Sequence, residues 1–118
     1  MKKRIQSFGY AGKGIWAVLS SEPNMKIHLA VAVLVVFAGF FFQISTAEWI
    51  ACILCFGLVF TTEMINTAIE SIVDLVSPTR QELAGKAKDI AAGAVLISAL
   101  VSAIVGLIIF VPKVLVFL

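Results

Sequence analysis

Four polar residues, Glu63, Asn66, Glu70 and Asp74, stand three or four positions apart in the otherwise apolar stretch TTEMINTAIESIVDLV, residues 61–76. On a helix advancing about 100° per residue they fall within roughly an 80° arc, which makes one stripe of carboxylates and an amide. Holding a carboxylate in an apolar setting costs several kcal/mol unless a partner or a cation offsets it. Glu63 and Asn66, flanked by Phe60, Met64 and Ile65, are therefore expected to serve chemistry. Asp74, at the far end of the stripe, could simply reach water.

The residue types narrow that chemistry. Glu63 and Glu70 on one helix face, with Glu22 from an earlier segment, are hard oxygen ligands of the kind Mg²⁺ takes when it also holds phosphates. Lys88, followed directly by Asp89, adds a point positive charge. A metal-bridged phosphate, an ammonium on the transferring group and a carboxylate placed to take a hydroxyl proton are the equipment of phosphoryl transfer. The glycine-containing GYAGKG, residues 9–14, matches neither GxxxxGK[ST] nor GxGxxG, so neither a P-loop nor a protein-kinase glycine loop supplies the phosphate site.

The elements that must position these groups follow from composition. The 118 residues are 61% hydrophobic and 14% charged, with a mean hydropathy of +1.08. Such a chain is one small polytopic all-α membrane domain, not a soluble globule. Ile5, Phe8, Gly12, Ile15 or Trp16, and Leu19 recur at helical spacing while Lys2, Lys3, Gln6 and Lys13 take the other faces, which predicts an amphipathic surface helix over residues 1–20. Ser20 and Ser21 before Glu22 and Pro23 read as a helix start. The first span is expected over about 28–44, the second over 47–76, and the third over 80–112 up to Pro112. Pro78 breaks the chain after the second, and Thr79 with Glu82 reads as a capping box. The second helix, at about 45 Å, outruns the hydrocarbon, so Glu63 lies about 24 Å from its start, at the inner edge of the apolar layer, and Asp74 among the headgroups.

Five basic residues precede the first span, none lies in the 43–48 turn, three lie in 77–89, and Lys113 is alone at the other end. The positive-inside rule then puts the N-terminus and the second connection in the cytoplasm and the C-terminus outside. The opening MKKRIQSFGYAGKGIW lacks the apolar stretch and cleavage site of a removable signal peptide, so the mature chain is expected to begin here. Cys52 and Cys55 have no partners for a zinc set and read as small packing residues. His28, the only histidine, reads as an interfacial anchor. Small residues at Ala94, Ser98, Ser102 and Gly106 would let another helix backbone approach closely.

EMINTAIESIVD (63–74), joined by ELAGKAKD (82–89), SEPNMKIH around Glu22 and GYAGKGIWA in the surface helix, resembles the small integral-membrane prokaryotic diacylglycerol kinases, a family that includes undecaprenol kinases. The resemblance implies a homotrimeric helical bundle with sites shared between subunits, in the inner (cytoplasmic) membrane of a bacterium. It implies ATP as co-substrate, Mg²⁺ as cofactor and a membrane lipid alcohol as acceptor, diacylglycerol or undecaprenol, with no nucleic acid partner. Residue by residue, it implies Glu63 as general base, Glu22 and Glu70 as magnesium ligands at the triphosphate, Lys88 on the phosphates, and Asp89 and Tyr10 at the nucleotide. Asn66 would orient the reacting groups, and residues 79–81 would form a loop near the nucleotide. Ile27 and His28 stand where some diacylglycerol-specific members have Gln and Glu, and that pair is more similar to the undecaprenol-kinase branch.

Two other classes could use parts of this pattern. A proton or cation channel needs intramembrane acids, yet no second ionisable layer lies toward the outer face. A non-catalytic assembly subunit would use the small-residue stripe but has no reason to collect Glu22, Glu63, Glu70 and Lys88.

Overall fold

The computed structural model describes residues 1–79 and 81–118. It contains four helices in chain order, α1 (Lys2–Ser21), α2 (Pro23–Phe41), α3 (Thr46–Val76) and α4 (Glu82–Phe117). The last three are long and apolar enough to cross a membrane. Most of their large apolar side chains, such as Phe37, Leu54, Ile72 and Ile104, are exposed, as suits a solvent of lipid rather than water. α4 packs chiefly along α3, and α2 closes one side of that pair.

α1 and α2 meet at Glu22, whose extended backbone caps α2 while Pro23 takes the first helical position, where its missing N–H costs nothing. Ser20 and Ser21 do not start α2: both hydroxyls donate back to the Ala17 carbonyl, at 3.3 and 2.5 Å, and so finish α1. The first span consequently begins at Pro23, five residues before the expected 28, and ends at Phe41.

The turn from α2 to α3 is built on a Schellman motif. Gln43 adopts φ 52°, its N–H donates to the Phe40 carbonyl, and the Ile44 N–H donates to the Gly39 carbonyl, the paired bonds that satisfy a helix's last acceptors. Ile44 is buried and forms a core with Cys52 and Ile109, covered by Phe42, Trp49 and Phe110. Gly39 lies under Trp49, where a Cβ would come within 2.5 Å of the indole Cη2. The capping box of this chain is here, not at Thr79. The Ser45 hydroxyl accepts from the Glu48 N–H at 3.2 Å and Glu48 Oε1 accepts from the Ser45 N–H at 2.9 Å.

α4 begins after Gln81, with no side-chain cap, so the box expected from Thr79 and Glu82 does not form. Arg80, and with it part of the loop expected near a nucleotide, lies outside the described residues. The helix also runs through Pro112 to Phe117. The expectation of a stop there followed from the proline's missing N–H and its clash with the preceding turn. The segment beyond the proline is anchored from other elements. The Lys113 ammonium pairs with Glu48 of α3, and Phe117 packs against Phe41 and Phe42, with ring centroids 5.4 and 6.2 Å away. Neighbouring groups commonly rescue membrane-helix prolines in this way.

The small-residue stripe of α4 is engaged within the chain in part, with Ala94 exposed. Ser98 is buried and its hydroxyl lies 2.9 Å from that of Thr62, while Ser102 and Gly106 line a cavity shared with α2 and α3.

Candidate functional site

The polar stripe forms on α3 as its spacing demands. Glu63 is 1% exposed and Asn66 7%; Glu70 is half-buried and Asp74 exposed. Burial by the protein thus fades along the stripe from Glu63 to Asp74. Glu63 Oε2 and Asn66 Oδ1 are buried without a hydrogen-bond donor among the described residues, an unfavourable state for both acceptors unless something else supplies a proton or a charge.

Among the described residues Glu63 has one ion-pair neighbour. His28, in the second turn of α2, places Nε2 3.5 Å from Glu63 Oε2, and its side chain is 21% exposed against 2% for the glutamate. The reading of His28 as an interfacial anchor is incomplete on this point: the ring turns inward to α3. No periodicity announces such a contact, because it joins residues 35 positions apart on two helices. The available signal was that His28 is the sole ionisable group in the span after Lys26.

Further along, Asn66 Nδ2 donates to Glu70 Oε1 at 3.2 Å, which fixes one carboxylate oxygen of Glu70 and leaves the other free. Lys88 of α4 forms an ion pair with Asp74 across the two helices. Asp89, one position on, is exposed. Glu22 is half-buried at the junction of α1 and α2, and Tyr10 is 67% exposed on α1, with the Lys13 ammonium 5.8 Å from its ring centroid. The structure therefore draws the stripe, His28 and Lys88 together as successive pairs along α3, whereas Tyr10 on α1 and Glu22 at the start of α2 make no polar contact with them among the described residues.

No three of His, Cys, Asp and Glu gather as a metal cluster among the described residues. Among the described residues Glu22 and Glu70 take part in no ion pair, unlike Glu48, Glu63 and Asp74. A carboxylate of this kind has the chemistry of a magnesium ligand, since that ion takes one or two protein carboxylates and fills its remaining positions with phosphate and water oxygens.

Beside His28 a cavity of about 260 Å³ opens between α2, α3 and α4, lined by Val31, Cys55, Val59, Ser102 and Gly106 among others. Its walls are almost wholly apolar. Cys52 and Cys55, both free thiols, contribute to it as packing side chains.

Residues 9–110 match the prokaryotic diacylglycerol kinase family model. An undecaprenol kinase of Bacillus subtilis (strain 168) is 43% identical over 113 residues, spanning 96% of this chain and 92% of that protein. A diacylglycerol kinase of Synechocystis sp. is 39% identical over 103 residues, 86% of this chain and 59% of its own length. The diacylglycerol kinase of Escherichia coli (strain K12) is 31% identical over 100 residues, 85% of this chain and 82% of its own. With three spanning helices, a buried acid stripe and a match that covers nearly the whole sequence, this chain belongs to the prokaryotic diacylglycerol kinase family of membrane proteins.

Proposed function

We propose that the protein is a lipid kinase that transfers the γ-phosphate of ATP to the hydroxyl of a membrane lipid alcohol, with Glu63 as the general base. The observation that carries the role of Glu63 is its near-complete burial with an Oε2 that accepts no hydrogen bond among the described residues. A carboxylate oxygen that accepts no hydrogen bond can take the proton of an alcohol arriving from the lipid side. As the alcohol oxygen attacks the γ-phosphorus, its proton passes to Glu63 and the bond from the γ-phosphorus to the bridging oxygen of ADP breaks.

The remaining groups divide by place. Asn66 fixes Glu70, and Glu70 with Glu22 would hold Mg²⁺, which when bound offsets the charge of the triphosphate. Lys88 would release Asp74 to meet the phosphates, with Asp89 and Tyr10 completing the nucleotide contacts. These groups, the N-terminus and the basic second connection lie on the cytoplasmic side of a bacterial inner membrane in this reading, on the strength of the charge asymmetry. The exposed apolar flanks of the spans and the resemblance to the family support a homotrimer with shared sites. A polyprenol acceptor is favoured over diacylglycerol by the name of the Bacillus relative and by the Ile27 and His28 pair.

The test is turnover of purified protein with labelled ATP, offered undecaprenol and diacylglycerol in parallel micelles, across a magnesium titration. Glu63→Gln should abolish transfer and leave MgATP binding intact, because it removes a base and no metal ligand. Glu70→Gln should instead raise the magnesium requirement. The same behaviour in both variants would overturn the division of roles.

A further inference from the structure

A base that is 1% exposed has a second task besides taking a proton: it must lose that proton before the next alcohol arrives. Water does not reach Glu63 Oε2 through its own surface, and among the described residues one ionisable side chain adjoins it, His28, at 3.5 Å. His28 differs from Glu63 in the property that matters, for a fifth of its side chain is accessible. It also borders the open cavity between the three spanning helices.

We propose that His28 resets the base by accepting the proton from Glu63 after each transfer and passing it to the aqueous side. The inference rests on the reading of Glu63 as the base. The lipid hydroxyl loses its proton to Glu63 Oε2 as the new P–O bond forms, which leaves a neutral carboxylic acid. That O–H bond then breaks as His28 Nε2 takes the proton, regenerating the carboxylate beside an imidazolium. The imidazolium next releases the proton on Nδ1 to water, and water-mediated exchange of the remaining ring proton from Nε2 to Nδ1 restores both the starting charges and the starting tautomer. The ring must begin as the tautomer with its hydrogen on Nδ1, since only then does Nε2 have a lone pair toward Glu63. A separation of 3.5 Å is long for a hydrogen bond, as is common before a catalytic site closes on its substrates.

The relay acts after chemistry, so it is separable from a role in holding Glu63. Rapid-quench measurement with undecaprenol and MgATP gives the first turnover and the steady state in one experiment. In His28→Gln, which keeps a donor but accepts no proton, the first turnover should stay within about twofold of the parent while the steady-state rate falls about tenfold or more, the range of a lost acid–base group. In His28→Ala, imidazole added to the assay should restore the steady-state rate through the adjoining cavity. Equal loss in both phases of the Gln variant would assign His28 to positioning alone and overturn the relay. Unchanged rates, or no rescue of an Ala variant that retains its thermal stability, would overturn it as well. Should the Ala variant fail to fold, the Gln variant decides by itself. Failure of the underlying reading shows separately, as a first turnover that survives in Glu63→Gln.

Discussion

Asn66 and Glu70, one helical turn apart on α3, are joined by a hydrogen bond from Nδ2 to Oε1 of 3.2 Å, so the amide sets the direction in which the carboxylate presents its free oxygen. A carboxylate held by a neighbour binds a cation with less ordering cost than a mobile one. Asn66→Ala should therefore raise the magnesium concentration for half-maximal turnover by about tenfold, at the lower end for lost outer-shell support of a metal ligand. A magnesium titration checks this, and thermal unfolding should differ little.

Lys88 and Asp74 form an ion pair whose side chains are 40% and 66% exposed. Pairs this open contribute about 0–1 kcal/mol, so Lys88→Met should hardly alter stability. The proposed encounter with phosphate is worth more, and the same variant should raise the KM for ATP by about tenfold or more. Asp74→Asn should leave the KM for ATP near the parent value, because it frees the lysine rather than removing it.

Gly39 and Trp49 touch where α2 reaches the turn. A methyl group at 39 would sit 2.5 Å from Cη2 and 2.8 Å from Cζ2 of the indole, and a rigid ring on a packed turn has little room to yield. Gly39→Ala should destabilise the protein by about 1–3 kcal/mol, the usual cost of overpacking. Adding Trp49→Leu to that background should recover part of the loss, which a double-mutant cycle in thermal unfolding would measure.

Gln43 occupies the left-handed position of the Schellman turn with φ 52°, where a side chain costs about 1–2 kcal/mol that glycine avoids. Glycine gives back part of that gain as chain entropy, so Gln43→Gly should stabilise by about 0.5 kcal/mol. The effect is expected in unfolding midpoints, with turnover unchanged.

Much of this architecture was legible in the residues. The chemistry-bearing stripe and α3 itself follow from one apolar run, Thr46–Val76, in which nothing breaks the helix and polar groups recur at its period. What escaped depends on contacts between elements. Pro112 ends a helix by local rules and fails to do so here, where Lys113 and Phe117 beyond it are held by Glu48 of α3 and Phe41 of α2. Ser20 and Ser21 are equally able to close one helix or open the next, and the backbone of Glu22 decides in favour of closing. The Ser45 and Glu48 box is plain in ISTAE once the helix start is known, but the TRQE of residues 79–82 offered the same pattern. His28 shows the limit most clearly, since its meeting with Glu63 depends on how α2 lies against α3 and leaves no mark in either helix's own periodicity.

Glu48 does two jobs with one carboxylate: Oε1 closes the cap with Ser45, and Oε2 receives the Lys113 ammonium from α4 at 2.5 Å. Together with the buried Ile44, Cys52 and Ile109, this fastens one end of the α3 and α4 pair, whereas the opposite end is spanned by the open Lys88 and Asp74 link. Between the two ends the Thr62 and Ser98 hydroxyls join the helices as well, so the pair is packed along its length and open only at the last link. An anionic guest that displaced Asp74 from Lys88 would therefore leave the sealed end untouched.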